Sequence, residues 1–165
     1  MYKVGIITAS DKGAAGQRED QSGPLIEEIM TQAGYEVADT RIVADEIDLL
    51  VAAMTDLADQ TACDLILTTG GTGFSPRDVT PEATLRVIER LSPGISEAMR
   101  YMSLQKTPKA MLSRGVSGIR GACLIINLPG SPKAVEECLS FILSPLAHGL
   151  DILSGHAAEC ARSGE

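Results

Sequence analysis

Short apolar segments alternate with helical periods along this chain, a pattern typical of an α/β fold with a largely parallel sheet. We predict strands over residues 2–9, 35–43, 64–69 and 122–128. Three of these strands are followed by loops that carry hydroxyl, carboxylate or glycine residues. Because the carboxyl ends of parallel strands lie at one edge of a sheet, and open α/β sheets bind ligands there, we expect one pocket built from distant segments.

Helical spacing of apolar residues and helix-start signals predict the helices. They cover residues 25–33, 47–57, 80–91, 93–104, 135–142 and 145–153. Asp45 is placed to cap the second of them, and Ser144-Pro145 predicts a fresh start for the last. Residues 107–121 are rich in turn formers, with a short strand near Val116, and we expect the polar tail from Gly155 to fray.

Length and composition suit a single domain over residues 1–165. The chain has 165 residues and is 44% apolar, which is enough to bury one sizeable core. No apolar run is long enough for a membrane span, and the amino terminus does not resemble a signal peptide. We therefore expect a cytoplasmic protein without a membrane partner.

The charge distribution argues against nucleic acid and leaves room for an anionic small molecule. The net charge is −8, which does not favour a general nucleic-acid surface. Residues 77–133, however, carry nine Lys or Arg against four Asp or Glu, an excess of five positive charges. Aromatic residues make up only 3% of the chain, so a stacking platform for bases is not expected.

The four cysteines do not form a metal or disulfide pattern. Cys63, Cys123, Cys138 and Cys160 are widely spaced, so neither a zinc site nor a disulfide framework fits. Cys63 and Cys123 belong to apolar segments, and we expect them to be buried structural residues. His148 and His156 have no partner at catalytic spacing.

The loop between the third strand and the next helix is the strongest candidate for binding phosphate. Residues 68–73 contain three glycines and three threonines, more than a tight turn requires, and glycine lets backbone N–H groups approach an anion. Arg77 could add a bidentate donor and Asp78 a carboxylate for magnesium, although Asp78 could equally serve a helix amino terminus. Neither a dinucleotide fingerprint nor a P-loop is present.

For the other candidate residues, an ordinary structural role is as well supported by the sequence as a functional one. Asp45 alone is interpreted as a helix cap, and Asp11, Asp20 and Ser22 as turn or cap residues. Ser113 and Arg114 lie in the basic segment, where Arg114 could bind phosphate or form a surface ion pair. Ser131 precedes Pro132 as a helix cap whose helix amino terminus could also accept an anion.

Taken together, these segments resemble the MogA/MoaB family of molybdenum cofactor biosynthesis domains, which includes the gephyrin G domain. The resemblance runs from Ser10 to about Leu150, and Ala44 stands where relatives often have proline. The matching motifs are Asp-Gln-Ser-Gly at 20–23, Val-Ala-Asp-Glu at 43–46, Thr-Gly-Gly-Thr-Gly at 69–73, Arg-Asp-Val-Thr-Pro-Glu-Ala at 77–83, Leu-Ser-Arg at 112–114, Gly-Ile-Arg-Gly at 118–121 and Ile-Asn-Leu-Pro-Gly-Ser at 126–131.

The resemblance implies a three-layer α/β/α sandwich and a molybdopterin adenylyltransferase that uses ATP and molybdopterin. It implies that Asp45 and Asp78 are catalytic, which reverses the interpretation of Asp45 as a cap. From the chemistry of the reaction we expect these two carboxylates to bind Mg²⁺ and position it on the triphosphate. It further implies a homotrimer and a possible molybdenum insertase partner; the alternative is a MoaB-like molybdopterin-binding or scaffold protein. The implied substrate-binding residues are Ser10, Asp20, Ser22, Thr69, Gly70, Gly71, Thr72, Gly73, Arg77, Ser113, Arg114, Pro129, Gly130 and Ser131.

Overall fold

A six-stranded mixed sheet forms the centre of the fold in a computed structural model that describes residues 1–155. The strands β1 to β6 lie in the spatial order β2-β1-β3-β6-β5-β4. Four neighbours, β2, β1, β3 and β6, are parallel, whereas β5 is antiparallel to both β6 and β4. In chain order the strands are Lys3–Ala9, Glu36–Val43, Leu65–Thr69, Arg90–Leu91, Ser117–Arg120 and Cys123–Leu128. The predicted mostly parallel α/β sheet is confirmed.

Helices cover both faces of this sheet. In chain order α1 to α6 span Asp11–Ala14, Ser22–Gln32, Ile47–Asp59, Thr80–Val87, Pro93–Leu104 and Pro132–Leu153, and a 3₁₀ helix covers Pro108–Leu112. One buried cluster joins α2, α5 and α6 to the sheet, and a second joins α3 and α4 to the opposite face. The three-layer arrangement follows from these two separate cores.

Alternating side chains of the central strands supply both cores. In β3, Leu65 and Leu67 belong to the first cluster and Ile66 to the second, and all three are fully buried. A strand directs successive side chains to opposite faces, so a central strand covered on both sides is apolar throughout. The polar exceptions in β3 are Thr68 and Thr69, which stand at its carboxyl end.

The structure corrects the prediction of two carboxyl-terminal helices. Residues 135–142 and 145–153 belong to one helix, α6, and Pro145 lies inside it. Proline removes one helical hydrogen bond, but the buried residues continue at helical spacing on both sides of it. They are Val135, Cys138, Leu139, Ile142, Leu146 and Leu150. Continuous burial of this face therefore outweighs the local break.

The predicted helix over 80–91 ends early, at Val87. Ile88 is already extended, and the Glu89 amide donates to the carbonyl of Ile119 at 2.8 Å. Residues 90 and 91 then pair with β5 as the edge strand β4. Pairing with β5 at the edge of the sheet thus outweighs the helical spacing of Leu91. The strand expected near Val116 is β5.

Cys63 and Cys123 are buried, as predicted. Burial raises the pKa of the Cys63 thiol to about 11 and that of Cys123 to about 12, which makes both poor nucleophiles at neutral pH. Within residues 1–155 no helix is long and apolar enough to cross a bilayer. Cys160, His156 and most of the tail that was expected to fray lie outside the described residues.

Replacing Pro145 with alanine should stabilise the protein. Pro145 is exposed in α6, so little packing is lost, and alanine restores a backbone donor. Interior proline costs a helix about 3 kcal/mol, partly offset by roughly 1 kcal/mol of unfolded-state entropy, so we expect a gain of about 1–2 kcal/mol in urea unfolding.

The matched control is Pro93→Ala, at the first turn of α5, where proline is favourable. We expect this variant to be neutral or slightly less stable. If Pro145→Ala lowers the stability of the protein as much as Pro93→Ala does, or more, a continuous α6 is contradicted.

Candidate active site

A cavity of about 380 Å³ opens at the carboxyl edge of the sheet, where β1 has β2 on one side and β3 on the other. We call it the switch-point cavity, since the strand order reverses there, which is where open α/β sheets bind ligands. It collects seven of the predicted site residues from three separate loops: Ser10, Asp20, Ser22, Thr69, Gly70, Gly130 and Ser131. The predicted convergence of three carboxyl-end loops is present in the structure, but Asp45 and Asp78 do not line this cavity.

Side-chain hydrogen bonds tie these loops to one another. The Thr69 hydroxyl, at the end of β3, donates to the carbonyl of Pro129 at 2.7 Å. The Ser22 hydroxyl, at the start of α2, donates to the carbonyl of Gly130 at 2.9 Å. Two of the predicted substrate ligands are therefore occupied with holding the cavity wall. Ser10 caps α1, since its hydroxyl accepts from the Gly13 amide at 3.0 Å.

Asp20 fixes the amino terminus of α2. One carboxylate oxygen accepts from the amides of Ser22 at 3.0 Å and Gly23 at 3.1 Å, and the other accepts from the Thr8 hydroxyl at 2.6 Å. A Cβ on Gly23 would lie 2.3 Å from this carboxylate, so glycine is required for the approach. Asp20 lines the cavity with its hydrogen-bonding capacity largely used by the protein.

The glycine loop after β3 runs from the cavity to the two predicted catalytic carboxylates. Gly70 and Gly71 have φ of 89° and 65°, in the left-handed region that favours glycine. A Cβ on Gly71 would lie 2.3 Å from the Thr80 hydroxyl oxygen and 3.1 Å from Oδ1 of Asp45. Among residues 1–155, the amides of Gly71, Thr72 and Gly73 have no hydrogen-bond acceptor. These donors are consistent with the predicted phosphate-binding role.

Asp45 is anchored by a reciprocal pair of hydrogen bonds with Asp11. The Asp11 amide donates to Oδ2 of Asp45 at 2.8 Å, and the Asp45 amide donates to Oδ1 of Asp11 at 3.0 Å. The cap of α3 is Glu46, without a side-chain capping bond, so the interpretation of Asp45 as the cap was wrong. The second oxygen of Asp45, Oδ1, is buried without a protein partner in the described residues.

Burial of Asp45 has an electrostatic consequence. Loss of hydration raises the pKa of the Asp45 carboxyl, the Asp11 amide opposes this, and the negative charges of Asp11 and Asp78 add to the rise. Asp11 behaves oppositely, since the Arg77 guanidinium lowers its pKa. Asp45 is thus an ionisable group whose charge the protein alone stabilises poorly, which is typical of functional sites.

Asp78 lies at the far end of the same loop. Its Oδ2 accepts from the Ser75 amide at 2.9 Å, and a Cβ on Gly73 would lie 2.9 Å from that oxygen. Asp78 also lines an open surface cleft with Phe74 and Arg114, outside the switch-point cavity. Since its charge acts on Asp45, the two carboxylates are electrostatic neighbours across the glycine loop.

The donor set suits a hard divalent cation that also takes ligands from a substrate. Mg²⁺ is usually bound by one or two carboxylates together with water and phosphate oxygens. The orphaned Oδ1 of Asp45 and the carboxylate of Asp78 fit that requirement. Within residues 1–155 no group of three or more His, Cys, Asp or Glu side chains could hold a metal alone. The residues are therefore compatible with a metal that arrives on a polyphosphate.

Protein groups engage both predicted arginine ligands. Arg77 makes paired bonds of 2.9 and 3.0 Å to Asp11 and one of 2.8 Å to Glu46. Arg114 donates to the carbonyls of Gly73 and Asp78 and pairs with Glu82. Their roles as substrate ligands stay predictions.

A second cavity of about 230 Å³ lies between α5 and α6, and we call it the α5–α6 cavity. It contains Ser113 and Pro129, two predicted residues that the switch-point cavity does not include. Asn127 lines it and donates to the hydroxyls of Thr68 and Thr84, both at 2.9 Å. The Thr69–Pro129 hydrogen bond separates the two cavities, since Thr69 lines one and Pro129 the other.

Sequence reasoning missed Arg18 and Gln21, which line the switch-point cavity, and underrated Asp11. Arg18 belongs to a polar loop without a motif, whereas Gln21 lies in the Asp-Gln-Ser-Gly motif, of which only Asp20 and Ser22 were predicted to bind substrate. The only signal for Asp11 was its place directly after the first strand, where carboxyl-end loops converge.

Comparison with known proteins agrees with this geometry. Residues 5–149 match the family described as "Probable molybdopterin binding domain". The chain belongs to the MogA/MoaB family of molybdenum cofactor biosynthesis proteins. It is 42% identical over 155 residues to the molybdopterin adenylyltransferase of Helicobacter pylori J99, covering 93% of this chain and 88% of that protein. It is 44% identical over 140 residues to that of Escherichia coli K12, covering 83% and 71%.

A solved structure supports the same assignment. The crystal structure of the molybdopterin biosynthesis enzyme MoaB of Thermus thermophilus superposes with a TM-score of 0.89 at 48% identity. The match covers 94% of this chain and 98% of the MoaB chain. A structure of MogA is also similar, with a TM-score of 0.87 at 40% identity over 92% of this chain and 99% of that one, so proteins named MoaB and MogA both resemble this chain.

Substituting Gly71 with alanine should destabilise the glycine loop beyond the cost of its backbone angle. Left-handed φ costs a non-glycine residue about 1–2 kcal/mol, and the contact with Thr80 adds to this at Gly71. Gly16 has φ of 70° with nothing within 4 Å of a new Cβ, so Gly16→Ala isolates the backbone cost. In urea unfolding we expect Gly71→Ala to lose roughly 1 kcal/mol or more beyond Gly16→Ala. Equal losses would mean that the loop accommodates the methyl group.

Asp45→Asn should raise stability at neutral pH. A raised pKa means that the folded state binds the proton more tightly than the unfolded state, so stability falls as pH rises from about 4 through the raised value. The advantage of the asparagine variant over the wild type should therefore vanish in acid. Arg120 lowers the pKa of the Asp59 carboxyl, so Asp59→Asn should instead lower stability at neutral pH. Thermal unfolding of both variants between about pH 4 and pH 8 measures the difference; a destabilised Asp45→Asn at neutral pH contradicts it.

Proposed function

We propose that this chain is a cytoplasmic molybdopterin adenylyltransferase whose single domain transfers AMP from ATP to molybdopterin and releases pyrophosphate. Membership of the MogA/MoaB family and the names of the Helicobacter and Escherichia relatives support this reaction. The observation that carries the proposal is the buried Oδ1 of Asp45, which has no partner in residues 1–155, at a glycine loop whose amides have no acceptor there. The negative charge of Asp78 adds to the rise that burial causes in the pKa of Asp45.

The reaction requires that one phosphate attack another. A terminal phosphate oxygen of molybdopterin forms a bond to the α-phosphorus of ATP. The bond from that phosphorus to the oxygen bridging to the β-phosphorus breaks, and pyrophosphate leaves with the electron pair. A phosphate nucleophile is already ionised at neutral pH and needs no strong base, which agrees with two cavities that no described histidine lines. Positioning and neutralisation of charge are then the main requirements.

Backbone groups of the chain supply part of the neutralisation. The amides of Gly71, Thr72 and Gly73 can donate to phosphate oxygens because no protein acceptor in residues 1–155 engages them. The amino terminus of α6, capped by Ser131, faces the switch-point cavity and carries the positive end of the helix dipole. Such fixed dipoles stabilise developing charge without reorganising during the reaction.

Asp45 and Asp78 would hold Mg²⁺, which supplies charge for the triphosphate when bound. The hydrogen bonds from Asp11 and Ser75 leave Oδ1 of Asp45 and part of the Asp78 carboxylate available for that purpose. Binding a cation would also relieve the unfavourable burial of the Asp45 charge.

Two neighbouring cavities suit a reaction with two substrates. The switch-point cavity and the α5–α6 cavity flank the Thr69–Pro129 contact, and the glycine loop starts directly after Thr69. Two bound molecules could therefore meet at one loop. Ser113, in the α5–α6 cavity, is the predicted residue best placed to contact the substrate held there.

A second candidate is a molybdopterin-binding protein of the MoaB branch with little transferase activity. The 48% identity to the Thermus MoaB favours keeping this candidate. Release of pyrophosphate that depends on both ATP and molybdopterin distinguishes it from the transferase.

The proposal includes assembly as a homotrimer and delivery of the product to a molybdenum insertase, as the family resemblance implies. A separate apolar groove of about 250 Å³, lined by Ile95 of α5 and by Phe141 and Leu146 of α6 among others, is a surface that a subunit contact could bury. Analytical ultracentrifugation measures the assembly state.

Asp78→Asn should abolish turnover while leaving substrate binding almost intact. Asparagine keeps the acceptor for the Ser75 amide but lacks the charge that holds the metal. We expect kcat to fall by roughly a hundredfold or more, with molybdopterin affinity changed by less than about threefold. Pyrophosphate release and calorimetric titration measure the two quantities.

The matched control is Asp59→Asn, which removes a carboxylate paired with Arg120 outside both cavities and outside the open cleft that Asp78 lines. Its kcat should stay near that of the wild type. If Asp78→Asn weakens molybdopterin binding as much as turnover, Asp78 is a substrate ligand and the catalytic assignment fails.

A further inference from the structure

Asp78 lies at the end of an exposed loop in which the Arg77 side chain is tied to Asp11 and Glu46. Residues 74–77 are exposed, and Phe74 is 69% accessible. Inside the loop, the Asp78 amide donates to the Ser75 carbonyl at 2.9 Å, and the Ser75 amide donates to Asp78 Oδ2 at the same distance. Exposed hydrogen bonds of this kind open easily. The Arg77 bonds hold one side chain of the loop and do not join its two ends, so a contact that bridges the ends would further fix the Asp78 carboxylate.

The guanidinium of Arg114 provides that contact. Its Nε donates to the Gly73 carbonyl at 2.7 Å and its Nη2 donates to the Asp78 carbonyl at 2.5 Å. One planar group thus joins the residue before the exposed segment to the residue after it. The Arg114 amide also donates to the Thr72 carbonyl at 2.9 Å, so backbone and side chain act on the same loop.

Glu82 orients this guanidinium from the first turn of α4. It pairs with Arg114, and the interaction lowers the pKa of the Glu82 carboxyl, so the pair is charged at neutral pH. The Arg114 side chain is only 33% exposed. A planar guanidinium that binds two carbonyls and a carboxylate at once has little capacity left for a phosphate.

We propose that Arg114 is a positioning residue whose guanidinium closes the 73–78 loop and so fixes the Asp78 carboxylate. This inference rests on the proposed function only for the role of Asp78; the closure of the loop is independent of it. This proposal differs from the expectation that Arg114 binds substrate. An Arg114 that binds substrate would contact phosphate, and the Asp78 carboxylate would keep its position without the Arg114 guanidinium.

The first test measures the loop without any substrate. Quenched-flow hydrogen exchange with mass spectrometry reports the amides in peptides that span residues 72–79. In Arg114→Met, which keeps the apolar stem, we expect exchange roughly tenfold faster, because charge-assisted hydrogen bonds stabilise by about that factor. Unchanged exchange in this folded variant overturns the proposal.

Arg120→Met is the matched control. Arg120 likewise makes paired bonds to one carboxylate, Asp59, and donates to one carbonyl, that of Val87, away from the 73–78 loop. The Arg120→Met variant should lose about as much stability as Arg114→Met, and hydrogen exchange at residues 72–79 should stay at the wild-type rate. Acceleration of equal size in both variants would mean general loosening of the fold and would also overturn the proposal.

Arg114→Lys covers the case in which Arg114→Met does not fold. Lysine retains the charge, but its single ammonium group cannot reproduce the planar fork across both carbonyls and Glu82. We expect intermediate acceleration of exchange in the same peptides. Wild-type exchange in a folded Arg114→Lys variant contradicts the need for the guanidinium.

The second test separates positioning from substrate binding. In a pyrophosphate-release assay, Arg114→Met should raise the Mg²⁺ concentration for half-maximal rate roughly tenfold, with KM for molybdopterin within about threefold of wild type. A raised KM at saturating Mg²⁺ with no change in Mg²⁺ dependence would instead make Arg114 a substrate ligand. If the wild type releases no pyrophosphate, the proposed function fails, whereas the exchange experiment still decides whether Arg114 closes the loop.

Discussion

The parallel order of β2, β1, β3 and β6 is the constraint from which the site arises. It brings the carboxyl ends of four strands to one edge, but loops at an edge have no ladder to hold them together. Short side-chain bonds replace the ladder here: Asp11 and Asp45 join the exits of β1 and β2, and Thr69 and Pro129 join those of β3 and β6. These bonds therefore tie the loops around the cavity to the ends of the strands.

Asp45 is a residue of this edge that lowers the stability of the folded protein. Oδ1 of Asp45 is buried without a hydrogen-bond partner among residues 1–155, and an ionised oxygen in that position lowers the stability of the protein. The Asp11 amide compensates one carboxylate oxygen and leaves the other unsatisfied. Local instability of this kind is expected where a ligand supplies the missing interaction. The same reasoning explains why glycine is needed at position 71, since a side chain there would enter the space beside Oδ1.

The sequence predicted the sheet, the carboxyl-edge pocket and most helices, because strand burial and cap residues leave strong local patterns. It failed where tertiary contacts override those patterns. Pro145 signals a helix start, yet the buried face of α6 continues through it, and Leu91 keeps helical spacing although β5 draws it into the sheet. Family resemblance alone predicted a functional role for Asp45. Its carboxylate is held at Oδ2 by Asp11, 34 residues away, and no local pattern encodes that contact.

The ion pairs of the arginines could likewise not be predicted from the sequence, and these pairs change the charge balance of the site. Around the glycine loop lie five carboxylates, Asp11, Asp45, Glu46, Asp78 and Glu82, and the two arginines next to them, Arg77 and Arg114, are paired with three of these. A polyphosphate would add further negative charge to an already anionic surface. Arg77 and Arg114 are already held by these partners, although Arg18 lines the switch-point cavity. In the proposed reaction, backbone dipoles and a divalent cation would therefore supply much of the positive charge beside the glycine loop. Within residues 1–155, Asp45 and Asp78 are the two of these carboxylates without an arginine partner, which places them at the centre of the proposed chemistry.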